Sequence, residues 1–325
     1  MRSVIRAHPT ETRLLAVLLA ISLFLSLASN SFFTLSNIAS LLNNNAVNVI
    51  WAVGLLVVLI AGGIDISFAV AASVVQYLCV YALATIGGGN WVIGFVFAGS
   101  IGAALGFINA GLITYFRIIS IVVTIATFNA MFGLLMFFTS GRYLYNLPDW
   151  WTNRMALVET QTAELGLPVA VMLVAMAATW FLIGYTTTGR QLYAFGDNPE
   201  GARRAGISPA RMQFIAFGWM GMMAGIGGLM QAHIVQEVVP NALIGRELDV
   251  LAAVVLGGAR LGGGRGSVMG CFLGVLLVAI TQNGLNLLGV SPFAFKMVIG
   301  VIILIAISMS NLDFAKLTQS ARGSH

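Results

Sequence analysis

The feature that most limits this chain is a succession of apolar runs, each about as long as a bilayer is thick. They lie near 14–30, 46–63, 66–86, 91–115, 118–140, 168–186, 212–234, 267–289 and 293–310, with a shorter run near 248–259. A membrane-crossing helix needs roughly 20 mainly apolar residues. The pattern predicts an all-α polytopic membrane protein of about ten transmembrane helices. The short run is either an eighth span or a re-entrant segment.

Composition rules out the soluble alternative. Charged residues make up 8% of the 325 and mean hydropathy is +0.94, against about 25% charged in a soluble domain. Such a surface must face lipid. No polar stretch is long enough for a separate soluble domain, so residues 1–325 are expected to form one transmembrane domain. Cys79 and Cys271 both sit inside apolar runs and read as small buried hydrophobes.

The first run resembles a signal peptide, with Arg2, Arg6 and Arg13 before it and Ser26-Leu27-Ala28 near its end. Phe32–Asn37 leads straight into the next span, so an uncleaved first span is expected. Basic residues set the orientation. With the N-terminus inside and ten alternating spans, twelve of the sixteen Lys and Arg fall inside, and Arg142, Arg154, Arg246 and Lys296 fall outside. Both termini are therefore expected in the cytoplasm. The net charge of +5 is a topology signal and not a nucleic-acid footprint, because the basic residues sit in loops.

Two loops carry most of the information. The outer loop, about 141–166, holds Trp150 and Trp151, which suit an interfacial aromatic belt or a docking surface. The inner loop, about 187–211, contains Asp197-Asn198-Pro199-Glu200, a helix-start pattern, and Gly206, a helix stop. A short surface helix of about two turns is expected between them.

This loop resembles the G-x-N-x-x-A-A-x-x-x-G-I segment of the permeases of ribose-type ABC importers. Three more blocks agree: Gly62-Gly63-Ile64-Asp65-Ile66-Ser67; Glu247–Gly258 with Gly262–Gly266; and Asn283–Ser291. The likeness runs nearly end to end. Gly201 departs from it at the first Ala of the loop motif, Phe68-Ala69 stands where the family usually has Val-Gly, and Gln282 replaces an Asn.

The resemblance implies the transmembrane subunit of an importer for a sugar-like solute or autoinducer-2 in a bacterial inner membrane. Its implied partners are a second permease copy or paralogue, a cytoplasmic ABC ATPase, and an extracytoplasmic solute-binding protein. The inner helix would be the coupling helix. The residues carried over for contact with the ATPase are Gly196, Asp197, Asn198, Pro199, Glu200, Ala202, Arg203, Gly206 and Ile207.

The chain itself agrees with that division of labour. A phosphate-binding loop of the Walker type needs Gly-Lys, and the two lysines, Lys296 and Lys316, follow Phe295 and Ala315. ATP and Mg therefore belong to a partner, and no cofactor is expected on this chain. Gly262–Gly266 reads as a tight turn.

A neutral polyhydroxylated solute needs amides and hydroxyls. Asn44 and Asn48, four apart, and Asn283 and Asn286, three apart, fall on common helix faces. With Asp65, Asn129 and Gln282 they are the candidate path residues. Interhelical hydrogen bonding is the competing reading, for these and for Gln76 and Asn109. Asp65 lies between apolar spans, where an acid either caps the next helix, pairs with Arg117 or Arg260, or meets the solute. A stand-alone secondary transporter or channel is the alternative class, disfavoured by scarce buried charge. A membrane-embedded enzyme lacks any cluster of His, Cys and Asp at site spacing.

Overall fold

The computed structural model describes residues 9–301, apart from 86, 292, 293, 296, 298 and 299. Eight helices among these residues are long and apolar enough to cross a membrane. They are α1 (Pro9–Ala28), α2 (Leu35–Ile60), α3 (Phe68–Thr85), α4 (Trp91–Phe116), α5 (Ser120–Thr139), α7 (Leu167–Tyr185), α10 (Pro209–Val235) and α12 (Val268–Leu287). Four short helices join them: α6 (Asp149–Thr152), α8 (Thr187–Asp197), α9 (Pro199–Arg204) and α11 (Arg246–Leu256). One hairpin, β1 (Ala156–Glu159) with β2 (Glu164–Gly166), decorates the loop before α7. The span expected over 293–310 falls largely outside the described residues, as do Arg2, Arg6, Lys296, Lys316 and Arg322.

The chain is a polytopic membrane protein. Large apolar side chains stay exposed along α1, α4, α5 and α7, among them Leu19, Val96, Phe137 and Val174. In water such a surface would aggregate; in lipid it is the proper exterior. The connecting loops fall at two ends of the bundle. One end carries α8, α9 and the turns 61–67 and 257–267. The other carries the hairpin, α6 and loop 236–245.

Helix α2 is the central post. It starts at Leu35 because the Thr34 hydroxyl accepts a hydrogen bond from Asn37 N–H at 3.3 Å. That is eleven residues before the expected edge at 46, since the polar stretch Asn43-Asn44-Asn45 continues the helix. From Ala46 to Ile60 every residue but Asn48 is buried. α7, α8, α10, α11 and α12 all pack around it.

Helices α4 and α10 cross most intimately. Gly102 and Gly106 of α4 face Gly218, Gly221 and Gly225 of α10, and a Cβ at Gly102, Gly106, Gly221 or Gly225 would overlap a backbone carbonyl of the partner helix. Small residues four apart let membrane helices meet backbone to backbone, where van der Waals contact replaces the missing hydrophobic drive.

The short run near 248–259 is α11. Its 11 residues rise about 16 Å, roughly half of a 30 Å hydrocarbon core. The segment 236–245 before it is irregular chain, tied to the hairpin end by the bridge between Val238 and Leu144.

Candidate functional site

At the end that carries α9, three backbone segments meet. Thr186 breaks α7 from α8: its hydroxyl caps Gly189 N–H at 3.0 Å. Helix α8 then buries Gly189, Leu192, Phe195 and Gly196 while leaving Arg190 and Asp197 exposed. Gly196 rests on the end of α2 and on the Gly263-Gly264 turn. The Gly264 N–H donates to the Ile60 carbonyl at 2.9 Å, and the Tyr193 hydroxyl donates to the Gly266 carbonyl at 2.7 Å. Gly263 and Gly264 have φ of 87° and 73°, a region that favours glycine. The loop, the Gly62-Gly63 turn and the Gly262–Gly266 turn thus form one packed junction.

The expected surface helix is shorter than its motif. Asn198, not Asp197, caps α9, accepting from Gly201 N–H at 2.8 Å; Asp197 ends α8. Pro199 occupies the first turn. Gly206, with φ 83°, closes the helix, and Ile207 N–H donates back to the Ala202 carbonyl at 3.0 Å. Pro199, Glu200 and Arg203 are exposed, whereas Ala202 is buried and Ile207 half-buried. Gly201, where the family motif has Ala, lies against its own cap: a Cβ would come within 3.1 Å of Asn198 Cγ.

Asp65 is buried in the turn before α3. Its Oδ1 accepts from Ser67 N–H at 2.8 Å and from the Ser67 hydroxyl at 2.7 Å. Both partners are on Ser67 rather than on Arg117 or Arg260. The Asn109 amide donates to the Ser67 Oγ at 2.8 Å, tying the turn to α4. Burial pushes the Asp65 carboxyl up to about 6, against the pull of the Ser67 hydrogen bonds.

A polar cavity of about 270 Å³ opens inside the bundle between α2, α11 and α12. Asn44, Asn45 and Asn48 of α2 and Gln282 of α12 line it, together with Arg246 and Asp249 of α11. Gly245 starts α11 with φ 91°, and its N–H donates to both carboxylate oxygens of the buried Glu247, at 3.0 and 2.9 Å. That fixed turn places Arg246, whose Nη1 donates to Gln231 Oε1 at 3.0 Å. A second cavity, about 450 Å³, lies towards the hairpin; Asn44 lines both.

The cavity gathers Asn44, Asn48 and Gln282 of the residues expected on a path. It does not include Asn129, Asn283, Asn286 or Asp65. Asn129 is exposed on α5 and bonds its own Ile125 carbonyl. Asn283 exchanges two amide hydrogen bonds with Asn37, at 2.9 and 3.0 Å. Asn286 is exposed. Gln76 bonds the Gly228 carbonyl of α10, as the interhelical reading expects.

Arg246 and Asp249 were not expected here. Arg246 reads as an outer residue because it precedes the apolar run near 248–259, and Asp249 falls at the edge of that run. The cue was the shortness of that run, which cannot reach the far surface as helix.

The tryptophans of the outer loop differ from an interfacial belt. Trp151 is fully buried and donates to the Leu229 carbonyl at 2.9 Å; Trp150 donates to the Gly88 carbonyl at 2.6 Å. Their indole N–H groups satisfy backbone inside the protein, so they pin α6 to α10 and to the turn after α3. His233 is buried beside them, against the Trp91 ring and the Trp151 carbonyl.

Residues 37–307 match the family described as "Branched-chain amino acid transport system / permease component". The ribose import permease protein RbsC of Escherichia coli K12 is 32% identical over 322 residues, covering 94% of this chain and 95% of that protein. RbsC of Bacillus subtilis 168 is 35% identical over 287 residues, covering 88% of each. The autoinducer 2 import system permease protein LsrC of Photorhabdus luminescens is 29% identical over 304 residues, covering 94% of this chain and 90% of that protein. No solved structure matches. The chain therefore belongs to the permease family of the ribose-type ABC importers.

Proposed function

We propose that this chain is the transmembrane subunit that moves a small sugar-like solute inward by alternating access, driven by a separate ATPase that docks on α9. The observation that carries the reading is the packed junction. α9 presents Pro199, Glu200 and Arg203 outward, while α8, rigidly joined behind it, is wedged between the end of α2 and the Gly262–Gly266 turn. A push on α9 therefore reaches the central helix and the broken α11 passage as a rigid-body displacement.

The charge distribution supports a cytoplasmic α9. Of the described arginines, Arg13, Arg117, Arg190, Arg203, Arg204, Arg211, Arg260 and Arg265 lie at the α9 end and Arg142 and Arg154 towards the other, while Arg246 lies inside the bundle. The bacterial inner membrane follows, with a binding protein delivering solute to the hairpin end. Asn44, Asn48 and Gln282 line the path. The working unit is a homo- or heterodimer of permeases. ATP and Mg reside on the ATPase.

Reversing Glu200 and Arg203 together tests the docking. The helix itself tolerates the exchange, since the exposed Glu200 pairs with Arg203 and Arg204 are each worth about 0.3–0.5 kcal/mol. Copurification with the ATPase is expected to be lost. An ATPase that still binds and couples to the Glu200→Arg, Arg203→Glu protein removes α9 from the contact.

A further inference from the structure

The cavity between α2, α11 and α12 is built to do more than let a solute pass. It sits near mid-membrane: Asn48 is the fourteenth residue of the 26-residue α2, about 20 Å along a helix of about 39 Å. α11 begins at that depth, so its first turn faces the cavity rather than a membrane surface. Charged side chains there are costly and are kept for pairing or function. The two that line the cavity, Arg246 and Asp249, carry opposite charge one helical turn apart, and interact electrostatically. Among the described residues, nothing else lining it is ionisable.

We propose that Arg246 and Asp249 form a hydroxyl-binding site for a neutral polyhydroxylated solute. The carboxylate accepts from two adjacent hydroxyls, and the guanidinium donates to a ring or hydroxyl oxygen. Chemistry favours this ligand class over others. A net anion would gain Arg246 but meet Asp249, and a net cation the reverse; a polyol uses both, and so would a zwitterion, which the sugar-like solute of the reading above sets aside. Gln231 takes one of the five guanidinium donors. Asn44, Asn48 and Gln282 offer mixed donors and acceptors around the pair. At about 270 Å³, the space falls below the roughly 300–1,000 Å³ of drug-sized sites and suits a single sugar ring. The proposal rests on the sugar-like solute of the reading above, and adds that the permease itself inspects the hydroxyls.

The test uses the full chain reconstituted in proteoliposomes, with D-ribose as the probe. Val278→Cys places a thiol at the cavity wall; the native Cys79 and Cys271 are buried. Alkylation by a small water-soluble maleimide is timed with and without sugar. D-ribose is expected to slow labelling, and 2-deoxy-D-ribose to need about tenfold higher concentration for the same effect, as one charge-assisted hydrogen bond is lost. Asp249→Asn is expected to abolish protection, judged against that variant's own sugar-free rate.

Equal protection by both sugars in the otherwise unaltered protein overturns the proposal, even if Asp249→Asn fails to fold. So does protection that survives Asp249→Asn, or no protection by D-ribose at any soluble concentration. The assay needs neither ATPase nor binding protein. Sugar protection in a chain that captures no ATPase would keep this site and sink the importer reading.

Discussion

Gly196 rests on the carbonyl of Ile60 with no room for a side chain: a Cβ there would overlap that oxygen and lie 2.6 Å from the Gly264 nitrogen. Those neighbours are backbone and cannot rotate away. Gly196→Ala must lift α8 from the end of α2, disturbing the bond between Gly264 N–H and the Ile60 carbonyl. Overpacking of this kind costs about 1–3 kcal/mol. Thermal unfolding of the purified variant is expected to show that loss. In an assembled importer, the ATPase should still copurify, since the outer face of α9 is untouched, but solute-stimulated ATP hydrolysis should fall.

Glycines along the spans are not equivalent, and substitution separates them. Gly102 and Gly106 stand where α4 meets α10 backbone to backbone, whereas Gly133 of α5 and Gly184 of α7 have open space around them. Gly102→Val is expected to abolish accumulation of folded protein in the membrane. Gly133→Ala and Gly184→Ala are expected to be neutral or stabilising by up to about 1 kcal/mol, the helix-propensity difference. Monodispersity in mild detergent checks each.

The contrast also marks how much of the architecture could be read from the chain. Eight spans were legible because lipid imposes a length of apolar sequence on each. The cap and stop of α9 were legible because Asn198, Pro199 and Gly206 act locally. α8 was missed: it buries one narrow stripe, Leu192 and Phe195 with two glycines, and its other residues read as loop. Which glycine touches which carbonyl depends on helix crossing, and neighbours in sequence do not encode it. Arg246 and Asp249 reach the cavity because α11 starts at mid-depth, a consequence of tertiary packing around Glu247 and Gly245. Asn283 sat at the right spacing for a path, but its amide is exchanged with Asn37, 246 positions away.

Asp65 gives the turn before α3 a pH response. Its folded-state carboxyl titrates near 6, above its ordinary 3.8, because burial disfavours the charge. The folded protein therefore holds the proton more tightly than the unfolded chain. The contribution is fully present below about 3.8, and is lost as pH rises through about 6. Unfolding temperature is expected to be higher at pH 5 than at pH 7.5. Asp65→Asn keeps an oxygen for Ser67 N–H and Oγ and has nothing to titrate, so this part of the difference should vanish. A pH dependence that is the same in Asp65→Asn assigns it to other groups.

The Asn37–Asn283 pair can be weighed by a double-mutant cycle. Each amide donates to the other's oxygen, at 2.9 and 3.0 Å, and Asn37 also donates to the Phe32 carbonyl at 2.9 Å. The pair thus ties the start of α2 to α12 at the hairpin end. Asn283→Leu alone leaves the Asn37 oxygen without this partner, at a cost of about 1–2 kcal/mol. Asn37→Leu does the same from the other side. In the double variant two leucines meet and no amide is stranded, so the combined loss should be smaller than the two single losses together. The coupling is expected near the 0.6–2 kcal/mol measured for interhelical bonds in membranes. A role for Asn283 on the solute path predicts something else: additive stability effects, and a transport defect in Asn283→Leu that Asn37→Leu does not share. Unfolding in detergent and transport in the same four proteins separate the two.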